Sequence, residues 1–343
     1  MSTVNMLRIR GYRQRSERSR AEREDRIRRD LSDLSREEAE QITKDIEKIY
    51  RQRENLRRIS DRGHKLVPMY EQFRTYKPDA ISNEGERRRK AKQKAEEEFK
   101  RSQPREGNEK DFQRLSNRER EQLQIDAGLA ASAYVGFGTE SRRKYLPGGY
   151  QVMSRGKVPR DLRDYYDEKA GILHLPSGLD ALLVEGPDGP TISFRGTEKT
   201  SKDDLAADVI QRLGGFSPMY QDAAGVVDAI LENMPKDQSL RVTGHSLGGG
   251  LAQFATAANI DNEFGKRVTA SCFNAAGLSA STLGALAGKI EDSTDAISNV
   301  RVKGDTVSAS GNLLGKVMTL PNPDDRFIVH TANSVRDAID AQM

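Results

Sequence analysis

The stretch VTGHSLGGGLAQFATAA, from Val242 to Ala258, places four glycines within seven residues directly after a short apolar run. Two kinds of chemistry use glycines at such a place. A phosphate cradle needs GxxxxGK followed by Ser or Thr, or the dinucleotide pattern GxGxxG. No lysine follows Gly248 to Gly250, and Ser246 stands where the second glycine of the dinucleotide frame belongs. The nearest imitation of the first pattern, GNLLGKV at Gly311, is one residue short and ends in Val. A nucleophile elbow instead needs GxSxG between a strand and a helix, and Gly244, His245, Ser246, Leu247 and Gly248 supply it. The serine of an elbow sits on a strained turn, so the residues two before and two after it must be small, which Gly244 and Gly248 are.

A serine hydroxyl is a poor nucleophile at neutral pH. It needs a base, and the base needs an orienting acid, in the chain order Ser, Asp or Glu, His. His330 is the only histidine downstream of Ser246. His64 lies in a charged segment, His174 in a loop-like one, and alternation along the strand turns His245 away from the exposed side of the elbow, so these three are expected to be surface or packing residues. For the acid, Asp305 follows the strand NVRVKG, at the edge where catalytic groups gather in open α/β sheets. Asp324, before the next expected strand RFIV, is the alternative. Acyl transfer also requires hydrogen-bond donors for the developing oxyanion, each worth roughly 3 to 4 kcal/mol. The backbone N–H of Leu247 comes with the elbow, and Thr197 in TISFRGTEKTSKDD is the second candidate. No metal or cofactor is implied.

Positioning these groups falls to elements that alternate after Ser116. DALLVE, the turn GPDGP and TISFRG predict a hairpin. QDAAGVVDAILENM, LRVTG, LAQFATAANI, RVTASCFN, a helix near Leu283 to Ile290, NVRVKG, RFIV and a short terminal helix follow. Strands alternating with helices predict an α/β fold with a mostly parallel sheet covered on both faces. A capping box, SNRE at Ser116 to Glu119, opens this region with a helix whose face carries Leu123, Ala127, Ala130, Ala131 and Tyr134. The domain boundary is placed there: a charged helical arm at 1–115 and a catalytic domain at 116–343.

The arm differs in composition from the body. Residues 1 to 120 carry 34 Lys and Arg against 24 Asp and Glu, and the remaining residues carry 22 against 28, so the overall +4 hides a basic arm on a mildly acidic body. From Arg13 to Ile59 apolar residues recur at three and four, a narrow coiled-coil-like stripe with a second capping box, SREE, at Ser35. GERRRKAKQKAEEEFKR, Gly85 to Arg101, predicts a charged helix with almost no apolar face, followed by a linker. Such an arm reads either as a solvated helical or partly disordered appendage with no specific ligand, or as a surface for anionic lipid headgroups or a protein partner: another copy, a chaperone or a secretion apparatus. Interleaved acidic residues and the lack of a stacking platform argue against nucleic acid. The one cysteine, Cys272, cannot form an internal disulfide and reads as a buried apolar residue. No stretch reaches the roughly 18 to 20 apolar residues of a membrane span, and the N-terminus lacks a secretory signal, so synthesis in the cytoplasm and export or injection by another route is the expectation.

Together, ISFRGT, DLAAD, VTGHSLGGGLAQ and RVKGDTVS resemble the class 3, fungal-lipase-like branch of the α/β-hydrolases, over about Ser116 to Met343. The resemblance implies Ser246, Asp305 and His330 as a triad, Thr197 and Leu247 as oxyanion donors, a mobile lid at Glu198 to Ser217, and a lipid or phospholipid ester as substrate. Three departures accompany it. Gly250 stands where the family commonly has alanine, His330 follows Asp305 by only 25 positions, and the paired cysteines of secreted fungal members are missing. A delivered phospholipase effector fits these features. A general esterase or thioesterase, or a retired hydrolase scaffold serving as an interaction protein, are the alternatives.

Overall fold

The computed structural model describes residues 81–103, 106–134, 146–196, 217–261, 265–323 and 330–343. The arm's expected helix at Arg13 to Ile59 and its break at Ser35 lie outside them, as does the strand expected at RFIV.

Among the described residues nine strands form one sheet: β1 (Gln151–Val152), β2 (Tyr166–Asp167), β3 (Ile172–His174), β4 (Asp180–Gly186), β5 (Gly189–Phe194), β6 (Leu240–His245), β7 (Val268–Phe273), β8 (Ile297–Val302) and β9 (Lys316–Leu320). Their order is β2-β3-β4-β5-β6-β7-β8-β9, with β1 paired on β4. Strands β4 and β5 form the predicted antiparallel hairpin, closed between Gly186 and Gly189. From β5 to β9 each strand runs parallel to the next, and this parallel half carries the elbow. Strand β9, KVMTL, was not anticipated: only Met318 and Leu320 of its five residues are buried, too short an alternation to stand out from a loop.

Alternation along β6 shows how the sheet divides its two faces. Leu240 and Val242 enter the larger core with α4 (Pro218–Asn233) and α5 (Leu247–Ala258). Arg241 and Thr243 face α3 (Asn117–Ser132) on the other side. There the buried carboxylate of Asp126 meets Arg241 Nε at 3.3 Å and accepts from Ser271 Oγ at 2.9 Å and Gln122 Nε2 at 3.0 Å, while Thr243 Oγ1 donates to the Asp126 carbonyl at 3.2 Å. A buried charge persists only when paired and hydrogen-bonded in this way. Helix α3 begins at the predicted capping box: Ser116 Oγ accepts from Glu119 N at 3.3 Å, and Glu119 returns a carboxylate to Ser116 N at 2.8 Å. The C-terminal helix α8 (Ala332–Asp340) packs on α3, burying Val335, Ala338 and Ile339 with Leu123, Ala127 and Ala130.

The region expected as a helix near Leu283 to Ile290 is two short ones, α6 (Ala280–Gly284) and α7 (Ile290–Ser293), separated by a turn in which Gly288 has φ +92°. A larger correction concerns the boundary drawn at Ser116. Helix α1 (Ile81–Ser102) packs on α6 and α7, burying Ala95 completely and leaving Phe99 9% exposed. Glu98, also buried, accepts from Gly288 N at 2.7 Å. Residue Gly107 pairs beside β9, and α2 (Glu109–Gln113) buries Phe112 in the second core. Residues 89–103 and 106–115 therefore pack with the body. The buried apolar residues of α1 are two, Ala95 and Phe99, one turn apart, which the surrounding charges conceal from a periodicity count.

Phe99→Ala in the full chain is expected to cost about 3 kcal/mol in urea unfolding, the low end for a buried phenylalanine. An unchanged midpoint would show that α1 contributes nothing to the body.

Candidate active site

Strand β6 ends at His245, and the next residue, Ser246, has φ 60° and ψ −127°, one of two described non-glycine residues with positive φ. Such a conformation costs roughly 1 to 3 kcal/mol and persists where its surroundings over-determine it. Here Ser246 N donates to the Phe273 carbonyl at 3.1 Å, and the Ser246 carbonyl accepts from Ala276 N at 2.9 Å and Gly250 N at 3.2 Å. The turn also explains the glycines. A Cβ on Gly244 would lie 2.4 Å from the Gly248 backbone, and one on Gly248 would lie 2.1 Å from the Phe194 carbonyl oxygen. Gly250 meets the Ala276 carbonyl, which would stand 2.9 Å from an added Cβ, so the backbone approach that closes the elbow accounts for it too.

Ser246 Oγ lies 2.8 Å from His330 Nε2, and His330 Nδ1 lies 2.8 Å from Asp305 Oδ1. His330 directly precedes Thr331, whose Oγ1 caps α8 by accepting from Ser334 N at 2.9 Å, so the packing of α8 on α3 places the imidazole. Asp305 sits in the turn after β8, where its N–H donates to Val302 O at 3.1 Å. Asn274, at φ 41°, accepts from Val302 N through Oδ1 at 2.9 Å and so ties the end of β7 to the strand that carries Asp305. Asp305 is 3% exposed. Burial alone would raise its pKa, but the hydrogen bond and charge of His330, with bonds from Ser308 including its N–H at 2.9 Å, outweigh burial and hold the carboxyl below its ordinary value. An ionised carboxylate only accepts, so Nδ1 of His330 carries the proton and Nε2 presents its lone pair to the serine hydroxyl.

Of the expected site residues, the structure brings Ser246, His330 and Asp305 together between the ends of β6 and β8 and the start of α8. Leu247 is the first residue of α5, so its N–H has no acceptor within the helix and lies in the positive field of the helix N-terminus. Thr197, residues 198–216 of the expected lid, and Asp324 lie outside the described residues. Gly196, immediately before Thr197, is described, and a Cβ there would be 3.3 Å from Ser246 Cβ, so β5 delivers the chain beside the serine.

His245 is a packing residue, as expected, but it packs beside the site: alternation along β6 puts it on the face it shares with Arg241 and Thr243, and its ring centroid lies 4.8 Å from that of His330, tilted by 36°. His245 is 5% exposed, and burial, with the neighbouring His330, drives its pKa well below 6.5 although Asp305 pulls the other way. Tyr134, expected only as part of a helix's apolar face, meets His245 edge-on and hydrogen-bonds it. Nothing in its spacing marks it apart from the alanines it accompanies.

A family model described as phospholipase-like, Tle-like phospholipase domain, matches residues 109–336. No curated protein matches the chain at a significant level. Among solved structures, it is similar to the lipase from Rhizopus microsporus var. chinensis, at 17% identity and a TM-score of 0.39, covering 64% of this chain and 84% of that one. A triacylglycerol lipase from Penicillium expansum is 15% identical at a TM-score of 0.38, with 61% and 81% covered. The lipase of the Rhizomucor miehei propeptide complex is 16% identical at a TM-score of 0.36; 57% of this chain is covered, and the match spans 64% of that chain's length. Matched over well more than half of its residues, the chain belongs to the phospholipase-like family through its Tle-like phospholipase domain, and is a carboxylic-ester hydrolase of that family.

Proposed function

We propose that the chain hydrolyses acyl esters of phospholipids through a covalent serine intermediate. The observation that supports this reading is the unbroken run from Ser246 Oγ to His330 to Asp305 at 2.8 Å and 2.8 Å. Ser246 Oγ attacks the ester carbonyl carbon while His330 Nε2 takes its proton. The carbonyl π electrons move to oxygen, and that oxyanion is received by the N–H of Leu247 and by Thr197. Collapse re-forms the carbonyl and expels the lysophospholipid alkoxide, which takes the proton from His330. Water, deprotonated by the same nitrogen, then releases the fatty acid and restores Ser246. Asp305 stays ionised throughout and stabilises the imidazolium.

His245 matters to this cycle through its charge. A neutral imidazole beside His330 leaves the developing imidazolium unopposed, whereas a second cation 4.8 Å away would disfavour it. A retired scaffold would have no reason to keep the serine, base and acid in hydrogen-bonding register. The basic arm is proposed to draw the enzyme to anionic membranes, and delivery from the cytoplasm to a foreign membrane is the biological setting that suits a family of this kind; the charge asymmetry between residues 1–120 and the body supports the first point.

Mass spectrometry of phospholipid vesicles treated with the full chain is expected to show free fatty acid and lysophospholipid, faster on vesicles with anionic lipid and slowing as salt is raised. Ser246→Ala is expected to lower the rate by at least about a thousandfold. Equal rates for parent and variant would exclude the serine mechanism. His245 gives a separate expectation for stability. Below its ordinary value of 6.5 the unfolded chain binds a proton there that the folded chain refuses, so stability falls as pH drops from about 7 to about 5. Urea unfolding across that window is expected to show a shallower fall for His245→Asn than for the parent. Identical slopes would mean that His245 protonates freely in the fold.

A further inference from the structure

The Tyr134 hydroxyl sits where three parts of the site meet. Its oxygen lies 3.1 Å from the His245 carbonyl, to which it donates, and 3.1 Å from His245 Nδ1. With its one proton committed to the carbonyl, the phenol accepts from Nδ1–H, which fixes His245 as the Nδ1-protonated tautomer. Its Nε2 has no hydrogen-bond partner among the described residues. The His245 ring is therefore held from one end by Tyr134, edge-on at 5.7 Å between centroids, and lies against His330 at the other. On the second side, a Cβ on Gly196 would stand 2.1 Å from the Tyr134 hydroxyl and 2.7 Å from the His245 carbonyl oxygen. Only a glycine lets the end of β5 come so close to both the hydroxyl and the elbow.

We propose that Tyr134 is a positioning residue for acyl transfer: its hydroxyl clamps the elbow at His245 to the segment after β5 at Gly196, and through the His245 ring it sets the plane of the His330 imidazole. This inference rests on the serine-esterase reading above. A tyrosine suits the task because its ring fills the space beneath the elbow while its hydroxyl remains a neutral donor; burial raises its pKa far from the physiological range. The groups facing the pair are His330 just before α8, Asp305 in the turn after β8, and the Arg195 charge and Gly196 backbone just after β5. A displacement of the oxyanion donors or of the base by a fraction of an ångström weakens the transition state more than it weakens substrate binding.

Tyr134→Phe keeps the ring and removes the clamp. Its kcat on a short-chain ester is expected to fall by about 10- to 100-fold, with KM within about twofold of the parent and little change in thermal midpoint. A fluorophosphonate is still expected to label Ser246 fully, but more slowly. His245→Asn is the second variant. Its amide N–H can still reach Tyr134, preserving the fold, while the ring against His330 is gone, and its kcat is expected to fall by a similar factor. Because both act along one path, the double variant is expected to lose no more than the worse single one. Parent-like kcat in either folded variant, losses that multiply in the double variant, or a loss carried by KM alone would overturn the clamp. Failure of the fluorophosphonate to label Ser246 in the parent protein would instead bring down the esterase reading, and the clamp with it.

Discussion

Ser246 is held at φ 60° by hydrogen bonds from both of its backbone groups, one to the end of β7 and one from Ala276, and the surrounding structure is organised around that strained turn. The turn lifts the hydroxyl off the sheet edge and sends the chain straight into α5. It demands glycine at 244 and 248, where the backbone approaches itself and the end of β5, and at 250, where the Ala276 carbonyl presses in. Release of the strain would let the chain relax into a regular strand-to-helix turn and carry the hydroxyl away from His330. The parallel strands on either side, each hydrogen-bonded to the next, are what keep it in place.

The partners of Ser246 arrive by separate routes that converge on the same sheet edge. Asp305 is placed by the turn after β8, braced by Asn274, and kept ionised by its contacts despite burial. His330 is placed by the N-terminus of α8, whose packing on α3 is in turn anchored by the buried Asp126 and its contacts with Arg241, Ser271 and Gln122. Tyr134 follows α3 directly, one residue after its C-cap, Ala133. One helix on the far face of the sheet therefore governs both the base and the residue beneath the elbow.

Much of this was legible in the sequence, for physical reasons. GHSLGG carries steric demands that few residue types satisfy, a single downstream histidine leaves no choice of base, and a capping box at Ser116 is a local signal that needs no tertiary context. Asp305 was preferred to Asp324 for its place after NVRVKG, and in the structure Asp305 lies 2.8 Å from His330. His245 was read as a packing residue; that the ring it packs against is His330 depends on where the chain before α8 runs, which a strand pattern does not encode. The packing of α1 was hidden since two inward residues, Ala95 and Phe99, carry it amid a run of charges. Strand β9 was missed for its brevity. Tyr134 acts through contacts 111 positions away, which no local pattern encodes.

The central claim is that Ser246 becomes covalently acylated in turnover. Acid quench of the full chain during hydrolysis of an activated ester, followed by tryptic mass mapping, tests it directly, since Arg241 and Lys266 release the elbow as one peptide from Val242 to Lys266. The account predicts the acyl mass on that peptide, located at Ser246 and absent in Ser246→Ala. Acylation at another residue, or turnover with no acylated peptide while the leaving group appears in a stoichiometric burst, would contradict it.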